Sequence, residues 1–153
     1  MKRLTVCAAA LSLCLAVAGL AQEAPEKKVN NKNVPGTVTA AAAKAFPNAR
    51  IKGWSKETED GKTFYEAEMV EGQTKRDVMF LPDGKIDLVE EEIVNTSIPA
   101  AVQSALKSRY PRAEIQLAEK LTKDGTVQYE LHLKKAPKKE IVFTPDGKFV
   151  KEE

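Results

Sequence analysis

The sequence predicts an α+β protein made of two tandem modules, each a helix followed by a four-stranded antiparallel sheet. The first observation is an internal repeat, because residues 34–70 align without gaps onto residues 98–134. The second is that each copy opens with an apolar pattern of helical period and continues with patterns of strand period. The third is a set of turn-forming residues between those strands. We therefore expect modules at 34–95 and 98–153, with the helices on one face and an open sheet face on the other.

The N-terminus has the three parts of an export signal. Two basic residues follow Met1, an apolar run extends from Leu4 to Leu20, and small residues flank Leu20. We therefore predict a signal peptide at 1–21, cleaved after Ala21, a periplasmic or secreted location, and no membrane span after cleavage. A retained membrane anchor is the alternative, although the apolar run is short for a bilayer.

Both cysteines, Cys7 and Cys14, lie within the predicted signal peptide. Acylation of Cys14, as in a lipoprotein, is a further alternative, but Leu13 stands where a small residue is expected. Cleavage would leave no cysteine, so the fold must depend on its core rather than on disulfides. Residues 22–33 are polar and are predicted to form a flexible leader.

The charge balance argues against one class of partner. The chain has 24 basic and 22 acidic residues, and two of the basic residues lie in the signal peptide. The remaining charge is close to zero and is dispersed, so the chain lacks the basic excess that phosphate contacts require. We expect no nucleic-acid partner.

Proline residues bound the predicted helices. Pro35 and Pro99 stand at the starts, and the pairs Phe46-Pro47 and Tyr110-Pro111 mark the ends. Between these limits, apolar residues follow helical spacing at Val38, Ala41, Ala42, Val102, Ala105 and Leu106. Each helix should therefore present an apolar stripe to the sheet.

Four strands are predicted in each module. Asp60-Gly61 and Asp124-Gly125 predict hairpin turns, and Pro-Asp-Gly-Lys predicts further turns at 82–85 and 145–148. The strands are expected at about 49–57, 63–71, 75–81, 85–93, 113–121, 127–134, 139–144 and 148–152.

Alternation of side chains assigns the strand faces. Tyr65 and Met69, with their counterparts in the second module, are predicted to face the helices. The opposite face of the second module is polar, whereas that of the first carries Trp54, Phe64 and Met79. Their counterparts in the second module are Ala118, Gln128 and Val142.

This difference predicts a partner-binding surface, because apolar residues on a solvated face mark contacts and aromatic residues anchor many interfaces. The candidate partner-binding residues are Trp54, Phe64, Met79, Glu66 and Glu68. An alternative is that Trp54 and Phe64 fold over a sheet edge or fill the junction between modules.

Catalytic and metal-binding patterns are sparse. His132 is the only histidine and no cysteine would accompany it, so no metal site and no cofactor are expected. Glu90-Glu91-Glu92 alternates between strand faces and is predicted to be a solvated strand end. Motifs for a nucleophile elbow, a phosphate loop or a dinucleotide are absent from the sequence, so no catalytic residues are assigned. A small hydrolase that uses Glu66, Glu68 and His132 is the enzymatic alternative, and it requires these three groups to converge.

One ordered set of elements occurs twice and covers nearly all of the chain after residue 33. It consists of a helix ending in Phe/Tyr-Pro-x-Ala, an Asp-Gly turn, a strand containing Tyr65 or Tyr129, and Pro-Asp-Gly-Lys. This set resembles the PepSY-like, beta-lactamase-inhibitor-like family. The resemblance implies an exported protein with helices on one side of an antiparallel sheet and an open, often concave, face on the other.

The same resemblance bears on function. Relatives include a protein inhibitor of a secreted enzyme, and the wider PepSY group is linked to restraining peptidases. This chain lacks the disulfide cysteines of that inhibitor and has no match to its inhibitory loops, so the resemblance does not imply inhibition of beta-lactamase itself.

We expect an exported, non-enzymatic binding protein whose partner is a protein or a peptide and whose exposed sheet face makes the contact. An inhibitor or modulator of an envelope or secreted protein is one form of that role. An envelope structural protein without a ligand site is the alternative.

Overall fold

The computed structural model describes residues 24–59 and 61–153, which form one nine-stranded antiparallel sheet and two α-helices. Helix α1 spans Gly36–Ala45 and helix α2 spans Ala100–Arg109. The strands are β1 (Ala24–Val29), β2 (Arg50–Glu59), β3 (Lys62–Glu71), β4 (Thr74–Phe80), β5 (Ile86–Ile93), β6 (Glu114–Lys123), β7 (Thr126–Lys134), β8 (Glu140–Phe143) and β9 (Phe149–Glu152). Their order in the sheet is their order in the sequence.

The prediction of two tandem helix-plus-four-stranded modules is wrong, because β5 and β6 pair and all nine strands form one sheet. Their register runs from Val89 opposite Thr122 to Ile93 opposite Ala118. Had the sheets remained separate, both strands would have been edges with unpaired N–H and C=O groups, and pairing satisfies those groups. The repeat in the sequence identified equivalent strands but contained no signal for which edges would meet.

The predicted flexible leader contributes a strand instead. Residues 24–29 form β1, which pairs with β2 so that Lys27 lies opposite Lys56 and Val29 opposite Trp54. Val29 also packs against the cluster of apolar side chains beneath α1. The predicted signal peptide at 1–21, including Cys7 and Cys14, lies outside the described residues.

Both helices begin directly after proline and end where the sequence predicts. Pro35 and Pro99 occupy the position before the first helical residue, and the N–H groups of Phe46 and Tyr110 donate to the last turns. The i, i+4 pairs Val38 with Ala42 and Val102 with Leu106 are buried against the sheet.

The two helices lie on the same face of the sheet. Alternate residues of β5 show this, because Val89 packs against the cluster beneath α1 and Ile93 packs against the cluster beneath α2. The first cluster comprises Val34, Val38, Ala42, Trp54, Ala67, Met69, Val78 and Phe80. The second comprises Ile98, Val102, Leu106, Ala118, Leu131, Leu133, Ile141 and Phe143.

The two Pro-Asp-Gly-Lys turns tie the sheet to the helix N-termini. Gly84 has φ +90° and Gly147 has φ +82°, a region that glycine adopts without a Cβ clash. A Cβ atom on Gly84 would lie 2.8 Å from the carbonyl oxygen of Thr37, and one on Gly147 would lie 2.6 Å from that of Ala101. Only glycine permits this close approach between turn and helix.

Candidate functional site on the helix-free face

The helix-free face is the side of the sheet opposite α1 and α2. Phe64 and Met79 lie on this face, as the alternation in the sequence predicts, but they are only 6% and 3% exposed. They pack with three further apolar side chains into a third cluster, which draws on β3, β4, β5, β6 and β8. Its members are Phe64, Met79, Leu88, Leu121 and Val142.

The predicted position of Trp54 is wrong. The pairing of β2 with β3 slips between Ile51 and Gly53, so Lys52 is an extra residue in the strand. A β-bulge of this kind resets the alternation, and Trp54 therefore lies on the same face as Ile51. Its indole is 5% exposed and lies 6.1 Å from the ring of Phe80, centroid to centroid, beneath α1.

A matching bulge occurs in β6, where the register slips between Ile115 and Leu117. Ala118 consequently packs beneath α2 rather than on the helix-free face, where the sequence placed it. The same slip directs Glu119 and Leu121 to the helix-free face. This one bulge therefore explains why the sequence prediction placed Ala118 on the wrong face and why it missed Glu119.

Carboxylates border the third apolar cluster. Glu66 and Glu68 lie on the helix-free face of β3, as predicted, and Ser55 Oγ donates a hydrogen bond of 3.0 Å to Glu66 Oε2. Glu68 lies opposite Asp77, which in turn lies opposite Glu90. The helix-free face therefore carries a row of acidic side chains that crosses three strands.

Glu90 is the most perturbed of these groups. It is 5% exposed, so the prediction of a solvated strand end is wrong for this residue. Burial, and after it the negative charges of its neighbours, together raise the pKa of Glu90 to about 9. Those neighbours are Glu119, Glu130, Glu66 and Asp77.

His132 lies among three carboxylates at the β6–β7–β8 end of this face. Its Nε2 is 2.9 Å from Glu119 Oε2 and 3.3 Å from Glu130 Oε1, and its Nδ1 is 3.3 Å from Glu140 Oε1. Glu119 and Glu130 are directly opposite each other in the ladder, and His132 and Glu140 are opposite each other one repeat further on.

Burial and charge act in opposite directions on His132. Burial lowers its pKa, but the hydrogen bond to Glu119 and the charges of Glu119, Glu130 and Glu140 outweigh burial, and the net pKa is raised. Burial raises the pKa of Glu130 to about 7, although the positive charges of His132 and Lys151 act against it. The cluster therefore contains three carboxylates around one imidazole, and its side chains are largely shielded from water.

The residues of the enzymatic alternative do not converge. Glu66 and Glu68 are on β3, and His132 is on β7, four strands away in the sheet. With strands about 4.8 Å apart, this separation is roughly 19 Å. The partners of His132 are other carboxylates. The sequence analysis did not identify Glu119 as one of them, because the face on which Glu119 lies depends on the bulge in β6.

Comparisons with known proteins agree with the fold. A putative periplasmic protein from Bacteroides eggerthii is 22% identical, with a TM-score of 0.66, over 78% of this chain and 88% of its own. A DUF2874 family protein from Bacteroides uniformis is 21% identical, with a TM-score of 0.65 and the same two coverages. A BLIP-like protein from Bacteroides fragilis is 22% identical, with a TM-score of 0.62, over 78% of this chain and 85% of its own. At these identities the similarity establishes the fold alone.

No functionally curated protein matches the chain. Neither helix of the described part is long and apolar enough to cross a membrane. A family model described as "Putative beta-lactamase-inhibitor-like, PepSY-like" matches residues 62–151 as one stretch, from β3 to β9, rather than as two copies. Since that stretch is more than half of the chain, the resemblance seen in the sequence is confirmed, and the protein belongs to this PepSY-like, beta-lactamase-inhibitor-like family.

Proposed function

We propose that the chain is an exported, non-enzymatic protein that binds a positively charged protein or peptide on the helix-free face. The observation that carries this proposal is the apolar cluster around Phe64 and Met79 with carboxylates along its border. A partner with Lys or Arg side chains would match the carboxylates, which are the part of this surface that a partner can reach because the apolar cluster is buried.

The charges on the helix-free face support a positively charged partner. Glu66, Glu68 and Asp77 are half-buried on neighbouring strands of this face, while the chain as a whole is close to neutral. An acidic surface on a nearly neutral protein is local, so it would steer cationic partners to this face and repel anionic ones.

The apolar cluster supports the acidic side chains as a rigid base. Phe64, Met79 and Leu88 come from three consecutive strands and form a rigid floor. Trp54 has no part in the proposal, because it belongs to the core beneath α1. Phe64, Met79 and Leu88 are 3–6% exposed, so they hold the neighbouring acidic side chains in place rather than contact the partner themselves.

The separation of Glu66 and Glu68 from His132 supports a non-enzymatic role. The export signal and the description of the Bacteroides eggerthii relative as a putative periplasmic protein support a periplasmic or secreted location. Within that role, modulation of an envelope or secreted protein fits the family description. An envelope structural protein is the competing hypothesis, and it predicts no dependence on the acidic face.

Fluorescence anisotropy with defined peptides would test the proposal. The probes are a labelled peptide that alternates Lys with Leu and the same peptide with Glu in place of Lys. We expect only the cationic peptide to bind, with an affinity that falls as salt is added. The double variant Glu66→Gln/Glu68→Gln should weaken binding by about three- to tenfold, as the loss of two half-exposed ion pairs implies.

The matched control is Asp83→Asn/Asp124→Asn, which removes the same charge from two turns. It should leave the affinity for the cationic peptide unchanged. Equal losses in both double variants would mean that net charge rather than the helix-free face attracts the peptide. No binding of either peptide would favour the structural alternative.

A further inference from the structure

The cluster around His132 has the composition of a metal site. Glu119, Glu130 and His132 each offer a ligand atom, and these three atoms lie within 4.8 Å of one another. Ligand atoms around a tetrahedral zinc ion are roughly 3.4 Å apart, given bond lengths of about 2.1 Å. The distances from His132 Nε2 to Glu119 and Glu130, 2.9 and 3.3 Å, are close to that spacing.

The second nitrogen of the ring is held as well. His132 Nδ1 faces Glu140 Oε1 at 3.3 Å. Metal-bound histidine commonly donates its other N–H to a carboxylate, which fixes the ring orientation and makes the ligand nitrogen more basic. Glu140 comes from β8, on the far side of β7 from Glu119, so the ring is held from both neighbouring strands.

Glu90 is an independent indication that a cation belongs here. Glu90 is 5% exposed although it is a carboxylic acid. Glu90 lies opposite Leu121, two residues after Glu119 on β6, so it is on the same face of the sheet beside the cluster. Several carboxyl groups brought together with little exposure to water are costly, and a nearby divalent cation would offset that cost.

We propose that Glu119, Glu130 and His132 bind a first-row divalent metal ion, with Zn²⁺ as the preferred occupant, and that Glu140 orients the imidazole. Imidazole favours Zn²⁺ and its neighbours, whereas Ca²⁺ and Mg²⁺ take sites built from oxygen alone. The expectation of no metal site from sequence rested on the lack of cysteine, and two carboxylates from β6 and β7 take that place here. The inference does not depend on the proposed partner.

The occupied site would link the two strands of one hairpin. Glu119 is on β6, and Glu130 and His132 are on β7, so the metal would fasten the β6–β7 pair on the helix-free face. Binding would require a neutral imidazole and ionised carboxylates, so it would release protons and weaken towards acid pH.

His132 is the only histidine in the chain, which makes its ring nitrogens a direct probe. The experiment is an NMR titration of the ¹⁵N-labelled protein, purified without a histidine tag, with Zn²⁺. We expect Nε2 to shift and saturate at one equivalent while Nδ1 keeps its proton. Ring nitrogens that stay unshifted at one equivalent of Zn²⁺, or that respond equally to Ca²⁺, would overturn the proposal.

Calorimetry on variants provides a second, independent measurement. His132→Gln and Glu119→Gln should abolish stoichiometric Zn²⁺ binding, and Glu140→Gln should weaken it by about tenfold, as loss of an orienting partner does elsewhere. Glu114→Gln, an exposed carboxylate on the same strand, should leave it unchanged. Retention of wild-type affinity in folded His132→Gln protein, judged by circular dichroism, would refute the site even if Zn²⁺ binds elsewhere.

Discussion

Replacement of Trp54 by alanine tests the bulge at Lys52 most directly. If the slip between Ile51 and Gly53 places the indole beneath α1, Trp54→Ala removes the largest side chain of the first cluster. If β2 had no bulge, Trp54 would lie on the helix-free face and its removal would leave this cluster intact. The two arrangements therefore predict very different losses of stability.

The expected loss follows from the contacts of the ring. Trp54 is 5% exposed and packs against Phe80, which is fully buried, in a tilted arrangement with an interplanar angle of 50°. Truncation of a buried aromatic residue to alanine costs about 3–5 kcal/mol, from lost transfer energy and from the cavity that remains. Phe149→Ala is the matched control, because Phe149 is 46% exposed and its main contact is with Arg109. Its loss should be at most about 1 kcal/mol.

Urea unfolding followed by far-UV circular dichroism would measure both losses, since the Trp54 variant has no tryptophan signal. In the wild-type protein, Trp54 is the only tryptophan, so native fluorescence reports on this one site. We expect a blue-shifted emission that acrylamide quenches poorly and that moves to the red on unfolding. A native emission typical of hydrated indole, together with a loss no larger than that of Phe149→Ala, would refute the bulge assignment.

Two further predictions concern Glu90 and the glycine turns. Burial and neighbouring carboxylates raise the pKa of Glu90 to about 9 in the folded protein, against about 4.3 in the unfolded chain. Below about pH 4.3 the group is protonated in both states and its contribution to stability is complete. As the pH rises towards 9 the unfolded state is favoured by ionisation, and the contribution is lost. Denaturant titrations in EDTA should therefore show Glu90→Gln to be more stable than wild type at pH 7 by on the order of 3 kcal/mol. The gain should vanish below about pH 4. A gain that does not change with pH would contradict this. Gly147→Ala and Gly125→Ala place alanine at φ +82° and +80°, but only the first brings Cβ within 4 Å of another atom. Gly125→Ala should cost about 1–2 kcal/mol and Gly147→Ala clearly more, and equal shifts in thermal midpoint would show that the turn does not press on α2.

Local features of the chain made the helices and strands predictable. Proline before each helix, the Asp-Gly turns and the alternation along Tyr65 and Met69 act over a few residues. The eight predicted strands have limits within two residues of those in the structure. Asp124 and Gly125 both have positive φ, as a two-residue hairpin turn requires.

Features that depend on distant parts of the chain were not predictable. The union of β5 with β6 requires two strand edges to meet, and neither edge has a sequence pattern that identifies its partner. The bulge at Lys52 leaves a faint signal, since Gly53 follows it and glycine often marks a bulge. The burial of Glu90 depends on neighbours from β3, β4, β6 and β7, and no local pattern reports on them.

The sequential strand order has a consequence for how the chain reaches this fold. Most strand pairs close over a short turn, so contact order is low and hairpins should form quickly. Two pairs are exceptions: the β1–β2 connection contains α1 and spans residues 30–49, and the β5–β6 connection contains α2 and spans residues 94–113. The β5–β6 ladder is the one that joins the two halves of the sheet. Until that ladder forms, each half has an unsatisfied strand edge at this point. The same edges could be completed by a second chain, so β5 and β6 mark the place where domain swapping would compete with folding at high concentration.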